Sequence, residues 1–325
     1  MKVLDARLIA ALRAAQVHLP ATDLAGQLAA PLATVEARLA ELRGAGFEIE
    51  ERPGLGFRLL GSPDRLIADD LLARLGACPL VREIVVFEET DSTNDLAVQR
   101  GRQGGAGGLV IFAERQTAGR GRFGRPWASA SHRGLWFSLL LRPALPLPLW
   151  PRLTTWAAVA LADAIEASLG LPAAIKWPND LHLGGKKVAG ILAESGTDGT
   201  GEPFAVVGIG VNVNHEPADF PPELTAKAGS LRMATGRAID RPAFATALLR
   251  ALDARLPQLA DAFPEIIAAA ARRSFLLGRW IQVQSGVELL EGHAEELDAD
   301  GHLLLRSGDG TLNRLTAGEV TVIAN

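Results

Sequence analysis

Between residues 1 and 62 apolar side chains recur at the spacing of one helix face: Leu4, Leu8, Ile9 and Leu12, then through "TDLAGQLA", and after Ala30-Pro31 through "TVEARLAELRGAG". Three short helices are predicted, with Thr22 or Asp23 capping the second, Thr34 capping the third, and Gly44 to Gly46 ending it. The next residues, "FEIEERPGLGFRLL", switch to alternation on either side of "RPGLG", which predicts two strands joined in a hairpin. Three helices followed by a hairpin are the order of a winged helix-turn-helix.

"GSPD" at 61–64 reads as a linker, and beyond it the periodicity changes. Residues 108–116, 134–142, 173–177 and 203–213 read as strands; the second is almost continuously apolar, as in a sheet covered on both faces. Helical periodicity marks 152–169 and 243–273, while 180–195 reads as a hairpin closed by Gly184-Gly185. From 276 to 325, "WIQVQ", "GHAEEL", "HLLLRS" and "EVTVI" alternate between Gly and Asp turns, as in a small all-β barrel. The expected chain is therefore α+β in three parts: a DNA-binding-like domain at 1–63, a large mixed unit at 64–274 and a β barrel at 275–325. The only low-complexity tract is "GGAGG" at 104–108.

Charge narrows the possible partners. With a net charge of −4 the chain has no global attraction to nucleic acid, so anion binding must come from local clusters. Its one cysteine, Cys78, forms no internal disulfide, which suits a reducing cytoplasm. Asp5, Arg7 and Arg13 interrupt the first apolar stretch, unlike a secretory signal, and no uncharged run is long enough to predict a membrane span.

One local cluster is "QTAGRGRFGRPW" at 116–127, where arginines alternate with glycines. Guanidinium groups bind phosphate in a planar, charge-assisted way, and glycines allow close backbone approach. A mobile phosphate-wrapping loop and a merely solvated surface loop both fit. No nucleotide fingerprint is present: "GGKK" at 184–187 lacks the Ser or Thr of a P-loop, and "GIGVNV" has Val213 where a dinucleotide fingerprint needs Gly.

Lysine is scarce, five residues against twenty-eight arginines, yet Lys176, Lys186 and Lys187 fall close together in "KWPNDLHLGGKKVAG". A compact ammonium on a flexible stem is one reason to keep them; a hairpin turn is another. Asn179 and Asp180 could hold magnesium or orient a nucleotide, or simply close the strand as an Asx turn. In "EETDSTNDLAVQR" at 88–100, Ser92 reads as a helix cap with Asp95 completing a capping box. The same helix start offers donors and acceptors to a small polar head group.

Taken together, "DSTN", "ERQTAGRGRFGRPW", "KWPNDL", "KKVAGIL" and "VVGIGVNVN" occur in an order and spacing that resembles the biotin protein ligases, and the whole chain resembles their bifunctional subclass, which doubles as biotin operon repressor. The resemblance implies a central mixed sheet like that of class II aminoacyl-tRNA synthetases and an SH3-like C-terminal barrel. It also implies two reactions: biotin and ATP give biotinyl-5′-adenylate and pyrophosphate, then a lysine of a biotin carboxyl carrier protein attacks the acyl carbon and expels AMP. Positioning and charge stabilisation carry both steps, so no nucleophilic side chain is needed.

By the same resemblance, Ser92, Thr93, Asn94 and Gln116 would hold the biotin head group. Arg120, Gly121 and Arg122 would close over its carboxylate and the α-phosphate, and Lys187 would stabilise the acyl-phosphate oxygens, which makes Arg122 and Lys187 the catalytic pair. Trp127, Lys176, Asn179, Asp180 and Asn212, with Arg120, would serve the nucleotide, and Asp180 is the candidate ligand for Mg2+. Gly190, Gly208 and Gly210 would admit the ligand close to the strands, and Phe123 and Pro126 are read as loop packing. A homodimer through a sheet edge is expected when adenylate is bound.

The first 62 residues carry as many acidic as basic side chains, where a DNA-binding module usually has a basic footprint. Arg38 and Arg43 on the third helix and Arg52 and Arg58 on the hairpin are the candidates for operator DNA. The alternatives are a ligase whose helix-turn-helix no longer binds DNA, a regulator that only senses biotin, and a lipoate or octanoyl transferase.

Overall fold

The structure is a computed structural model that describes residues 2–323. The chain divides into two compact units, one running to Ala77 and taking in Asp240–Thr246, the other comprising Cys78–Ile239 and the residues from Ala247 onward.

In the first unit the predicted pattern folds as α1 (Lys2–Ala14), α2 (Ala21–Leu28), α3 (Leu32–Gly44) and an antiparallel pair, β1 (Glu48–Arg52) and β2 (Gly56–Gly61). Leu8, Leu12, Leu24, Val35, Leu39, Phe47 and Phe57 bury one face of each element in a shared core. The caps differ from expectation. Pro20 and Pro31 occupy the cap positions of α2 and α3, so Thr22, Asp23 and Thr34 lie in the first turns. Proline lacks the N–H a helix start would leave unused, and its fixed φ begins the turn early. A further helix, α4 (Ala68–Leu75), joins α1 through buried Asp70, which pairs with Arg13 at 2.5 Å and Arg74 at 2.7 Å. The unit therefore continues past residue 63, where the sequence suggests a boundary.

The second unit is built on a seven-stranded sheet: β3 (Glu83–Thr90), β4 (Leu109–Gln116), β5 (Gly134–Leu141), β6 (Ala174–Lys176), β7 (Asp180–Leu183), β8 (Lys186–Thr197) and β9 (Pro203–Asn212). Its order is β3-β4-β5-β9-β8-β7-β6; β3 and β4 run parallel and every other pairing is antiparallel. Helix α5 (Thr93–Arg102) is the crossover between the parallel pair. Every residue of β5 is buried, as its unbroken apolar run requires. Helix α6 (Arg152–Leu169) matches its predicted span, and α7 (Leu231–Thr235) follows the sheet. The helical stretch predicted at 243–273 is instead three helices, α8 (Arg241–Arg255), α9 (Gln258–Asp261) and α10 (Phe263–Arg272), broken before Pro257 caps α9 and again at Ala262, with Pro264 in the first turn of α10.

The C-terminal strands, β10 (Trp280–Ser285), β11 (Glu288–Leu297), β12 (Leu303–Arg306), β13 (Leu312–Leu315) and β14 (Glu319–Val322), form an antiparallel sheet in the order β13-β12-β11-β10-β14. Its core of Ile281, Val283, Ala294, Leu303 and Leu305 also receives Trp177, whose indole N–H donates to Gly301 O at 3.0 Å. This shared tryptophan joins the sheet to the central unit in one compact body. No described helix is long and apolar enough to cross a membrane.

Candidate functional site

Helix α5 begins against the middle of the large sheet, and its first residues form a polar nest. Ser92 caps it, its hydroxyl accepting from Asp95 N–H at 3.4 Å. Only half of the expected capping box forms, because the Asp95 carboxylate pairs outward with Arg120 at 2.5 Å. Gln116, at the end of β4, accepts from the Thr93 N–H at 2.8 Å and its hydroxyl at 3.1 Å. Ser138, fully buried on β5, donates to Asn94 Oδ1 at 2.5 Å and stands 2.8 Å from Thr93 Oγ1. The Asn94 amide in turn donates to Glu194 at 2.7 Å. This packing explains Gly208, since a Cβ there would come within 2.0 Å of Asn94 Oδ1.

The arginine loop crosses above this nest and turns on two backbone bonds, Gly121 N–H to Arg125 O and Trp127 N–H to Gly119 O, both 2.8 Å. Arg120 reaches Asp95 and Glu194; burial works against its charge, and these two carboxylates more than restore it. Arg122 donates to Gly318 O at 3.2 Å and Asn179 Oδ1 at 3.4 Å. Burial pulls its pKa down, opposed by the charge of Asp180, so it is a partly desolvated cation facing the cavity. Phe123 does not pack into the protein: it is 72% exposed, adopts a left-handed φ of 59°, and lies beneath the Arg122 guanidinium at 4.9 Å. Arg125 pairs with Glu319 at the start of β14. Three arginines are thus braced in a loop whose sequence reads as mobile.

At the other end, the β7–β8 hairpin sets Lys187 Nζ against Asp180 Oδ1 at 2.7 Å and over the Trp127 ring at 5.1 Å. Trp127 lies flush on two strands, because a Cβ at Gly190 or Gly210 would approach its ring to 2.9 or 3.0 Å. Lys176 is pushed down in pKa mainly by burial. Asn179 donates to Ile191 O and Asn212 to Gly229 O, each at 2.9 Å, so both amides brace backbone as well as line the cavity. Asp180 is a poor lone magnesium ligand, since Lys187 already neutralises it. A cluster of three metal-type side chains among the described residues lies elsewhere, at Asp298, Asp300 and His302, where Arg314 and Arg152 compensate the carboxylates.

One cavity of about 350 Å³ connects these parts. Every residue to which the sequence assigns a role toward biotin, nucleotide or catalysis lines it, as do Phe123 and Pro126. The sequence missed Phe220, Leu224 and Lys227 on one wall and Gly318 and Glu319 on another. It missed as well the supporting Ser138 and Glu194, although Glu194 falls only two residues beyond "KKVAGIL".

The DNA candidates lie in the first unit. Arg38 pairs with Asp5 and Glu41, Arg43 with Glu51 while donating to Ile49 O, and Arg52 with Glu50. Arg58 is exposed on β2.

The Biotin/lipoate A/B protein ligase family matches residues 86–214, the segment that contains α5 and strands β4 to β9, each of which contributes residues to the cavity lining. The Bifunctional ligase/repressor BirA of Bacillus subtilis is 34% identical over 271 residues, 83% of this chain and 83% of that protein. The chain belongs to the biotin protein ligase family. The Biotin--[acetyl-CoA-carboxylase] ligase of Mycobacterium tuberculosis, 35% identical, shares 79% of this chain and 94% of its own length. Among solved structures, the biotin protein ligase from Aquifex aeolicus in complex with biotin and ATP superposes with a TM-score of 0.64 at 28% identity, covering 74% of this chain and 99% of that one. Family membership accounts for a mixed sheet that carries a polar nest at one end of a cavity and a cluster of cations at the other.

Proposed function

We propose that this protein is an ATP-dependent biotin protein ligase acting on a biotin carboxyl carrier protein. The observation that carries this reading is the single cavity in which an uncharged polar nest and a cationic end face each other. The nest of Ser92, Thr93, Asn94 and Gln116 suits the ureido head of biotin, and apolar Phe137, Ile209 and Leu192 suit its carbon skeleton. Arg120 and Arg122 would draw the carboxylate oxygen toward the α-phosphorus, where it forms the new P–O bond as pyrophosphate leaves. Lys187 would neutralise charge on the acyl-phosphate oxygens in this step and in the attack by the carrier lysine that releases AMP. The arginine loop would keep water from the mixed anhydride. Trp127, Lys176, Asn179, Asp180 and Asn212 are assigned to the nucleotide. Magnesium would accompany the phosphates, held mainly by them, with the cavity-lining Asp180 as its candidate protein ligand once Lys187 turns to the phosphates.

The C-terminal sheet is read as an SH3-like barrel and the first unit as a winged helix-turn-helix that lets the ligase act as a biotin-responsive repressor, dimerising when adenylate is bound. The helix and hairpin order of α1 to β2 supports this, as does the relative named a bifunctional ligase/repressor. Since Arg38, Arg43 and Arg52 each have a carboxylate partner, Arg58 is the strongest candidate for a phosphate contact. Binding to operator duplex that tightens when biotin and ATP are added, and weakens steeply with salt, is the expected result.

The ligase reading is tested by pyrophosphate release from ATP with biotin and, in parallel, with lipoate. Biotin-dependent release is expected; release with lipoate alone would transfer the protein to the lipoate branch, and none with either would refute the ligase.

A further inference from the structure

Four of the five lysines in this arginine-rich chain gather around the nucleotide end of the cavity: Lys176, Lys186, Lys187 and Lys227. Two of them are already engaged, and a third is half-buried. Lys187 is ion-paired with Asp180, Lys186 donates to Thr225 O at 3.3 Å, and Lys176 is half-buried with its charge disfavoured. Lys227 differs. It lines the cavity, it is exposed, and among the described residues its ammonium forms no ion pair.

Its backbone is nevertheless fixed to the core of the site. Lys187 N–H donates to Lys227 O and Gly229 N–H returns to Lys187 O, both at 2.8 Å, so residues 227–229 run beside Lys187 like a short extra strand. Asn212 clamps the same segment by donating to Gly229 O at 2.9 Å. Lys227 and Lys187 both act on the charge of Lys176, which places the three ammoniums within electrostatic reach of one another. Like charges brought together at the open end of a cavity cost free energy unless a polyanion shares them.

We propose that Lys227 binds the β- and γ-phosphates of ATP, and so the pyrophosphate that leaves, while Lys187 serves the acyl-phosphate oxygens. This rests on the ligase reading and divides the cationic end into two subsites: one acting in both half-reactions, and one acting only while the leaving group is attached. Lys227 acts as an electrostatic clamp on the leaving group, and no proton transfer or covalent step is assigned to it.

The test separates the half-reactions. In Lys227→Ala the KM for ATP should rise about tenfold and inhibition by added inorganic pyrophosphate should weaken to a similar degree, the worth of a charge-assisted contact. The KM for biotin, and the rate at which purified biotinyl-5′-adenylate is passed to the carrier, should stay within about twofold of wild type. Lys227→Arg should restore most of the ATP and pyrophosphate response. Unchanged ATP KM and pyrophosphate inhibition in Lys227→Ala would overturn the proposal. An equal loss in the transfer step would also overturn it, by assigning the residue to the structure of the site. Failure of the ligase reading itself is seen separately, as absence of biotin-dependent pyrophosphate release in the wild type.

Discussion

Lys187 and Asp180 face each other across the β7–β8 hairpin, with Nζ 2.7 Å from Oδ1, and the Gly184-Gly185 turn with positive φ at both residues makes that register possible. The carboxylate orients the ammonium toward the cavity before any ligand arrives. Replacing Lys187 by Ala should lower biotin-dependent pyrophosphate release by about 10²-fold, the usual scale for removing one preorganised charge stabiliser. Asp180→Asn keeps the shape but frees the lysine, and a smaller loss of about tenfold is expected in the same assay.

The close approach of Gly208 to Asn94 makes a steric prediction. In Gly208→Ala the new methyl would sit where Asn94 Oδ1 now meets Ser138. Asn94 has to move, so the KM for biotin should rise at least about tenfold while that for ATP changes little. Isothermal titration with biotin alone would measure the effect; equal affinity for wild type and variant would contradict it.

Asp198, in the β8–β9 turn, accepts from the hydroxyl and N–H of Thr200, from Arg142 and from Glu202 N–H, and these bonds hold its pKa at about 2 against an ordinary 3.8. A depressed carboxylate stabilises the fold above its unfolded pKa, and that contribution disappears as pH falls through the folded value. Asp198→Asn should therefore melt below the wild type at pH 5 and above, and the two melting curves should converge as pH falls from about 4 to about 2. A gap that stays constant over this interval would show that the carboxylate's charge is not the cause.

The Arg125–Glu319 pair, although bidentate, has side chains 60% and 45% exposed. Solvent screening limits such pairs to about 0–1 kcal/mol, so Glu319→Gln should shift the melting temperature by no more than a few degrees. A larger drop in calorimetry would mean that β14 depends on this contact for its position.

How much of this was legible in the sequence depends on distance along the chain. Ser92 as a cap and Gly184-Gly185 as a turn involve neighbours only, and local geometry decides them. The buried run of β5 needed no partner to be recognised, because eight consecutive core positions have few other solutions. Helix α4, "ADDLLARL", is too short to stand out by its pattern, and the burial of Asp70 depends on a pairing with Arg13, fifty-seven residues away, that no local pattern records. Gly318 and Glu319 wall the cavity through contacts that span nearly two hundred residues to Arg122 and Arg125, and nothing in "EVTVI" but strand alternation is visible locally. Lys227 was countable as the remaining lysine outside the first helix, yet its place beside Lys187 is set by two backbone bonds that no side-chain pattern records.

Trp127, lying flat on two glycine-bearing strands and capped by Lys187, has an optical consequence. The chain contains six tryptophans and no tyrosine, so emission excited to the red of the phenylalanine band comes from indoles alone. Trp127 and Trp177 both line the cavity, but it is the Trp127 ring that lies under the Lys187 ammonium, while Trp136 meets it edge-on with ring centres 6.2 Å apart. Any ligand that draws Lys187 away or slides beneath that ring alters the field on the excited state. The protein thus carries its own fluorescent gauge of site occupancy, readable without a label.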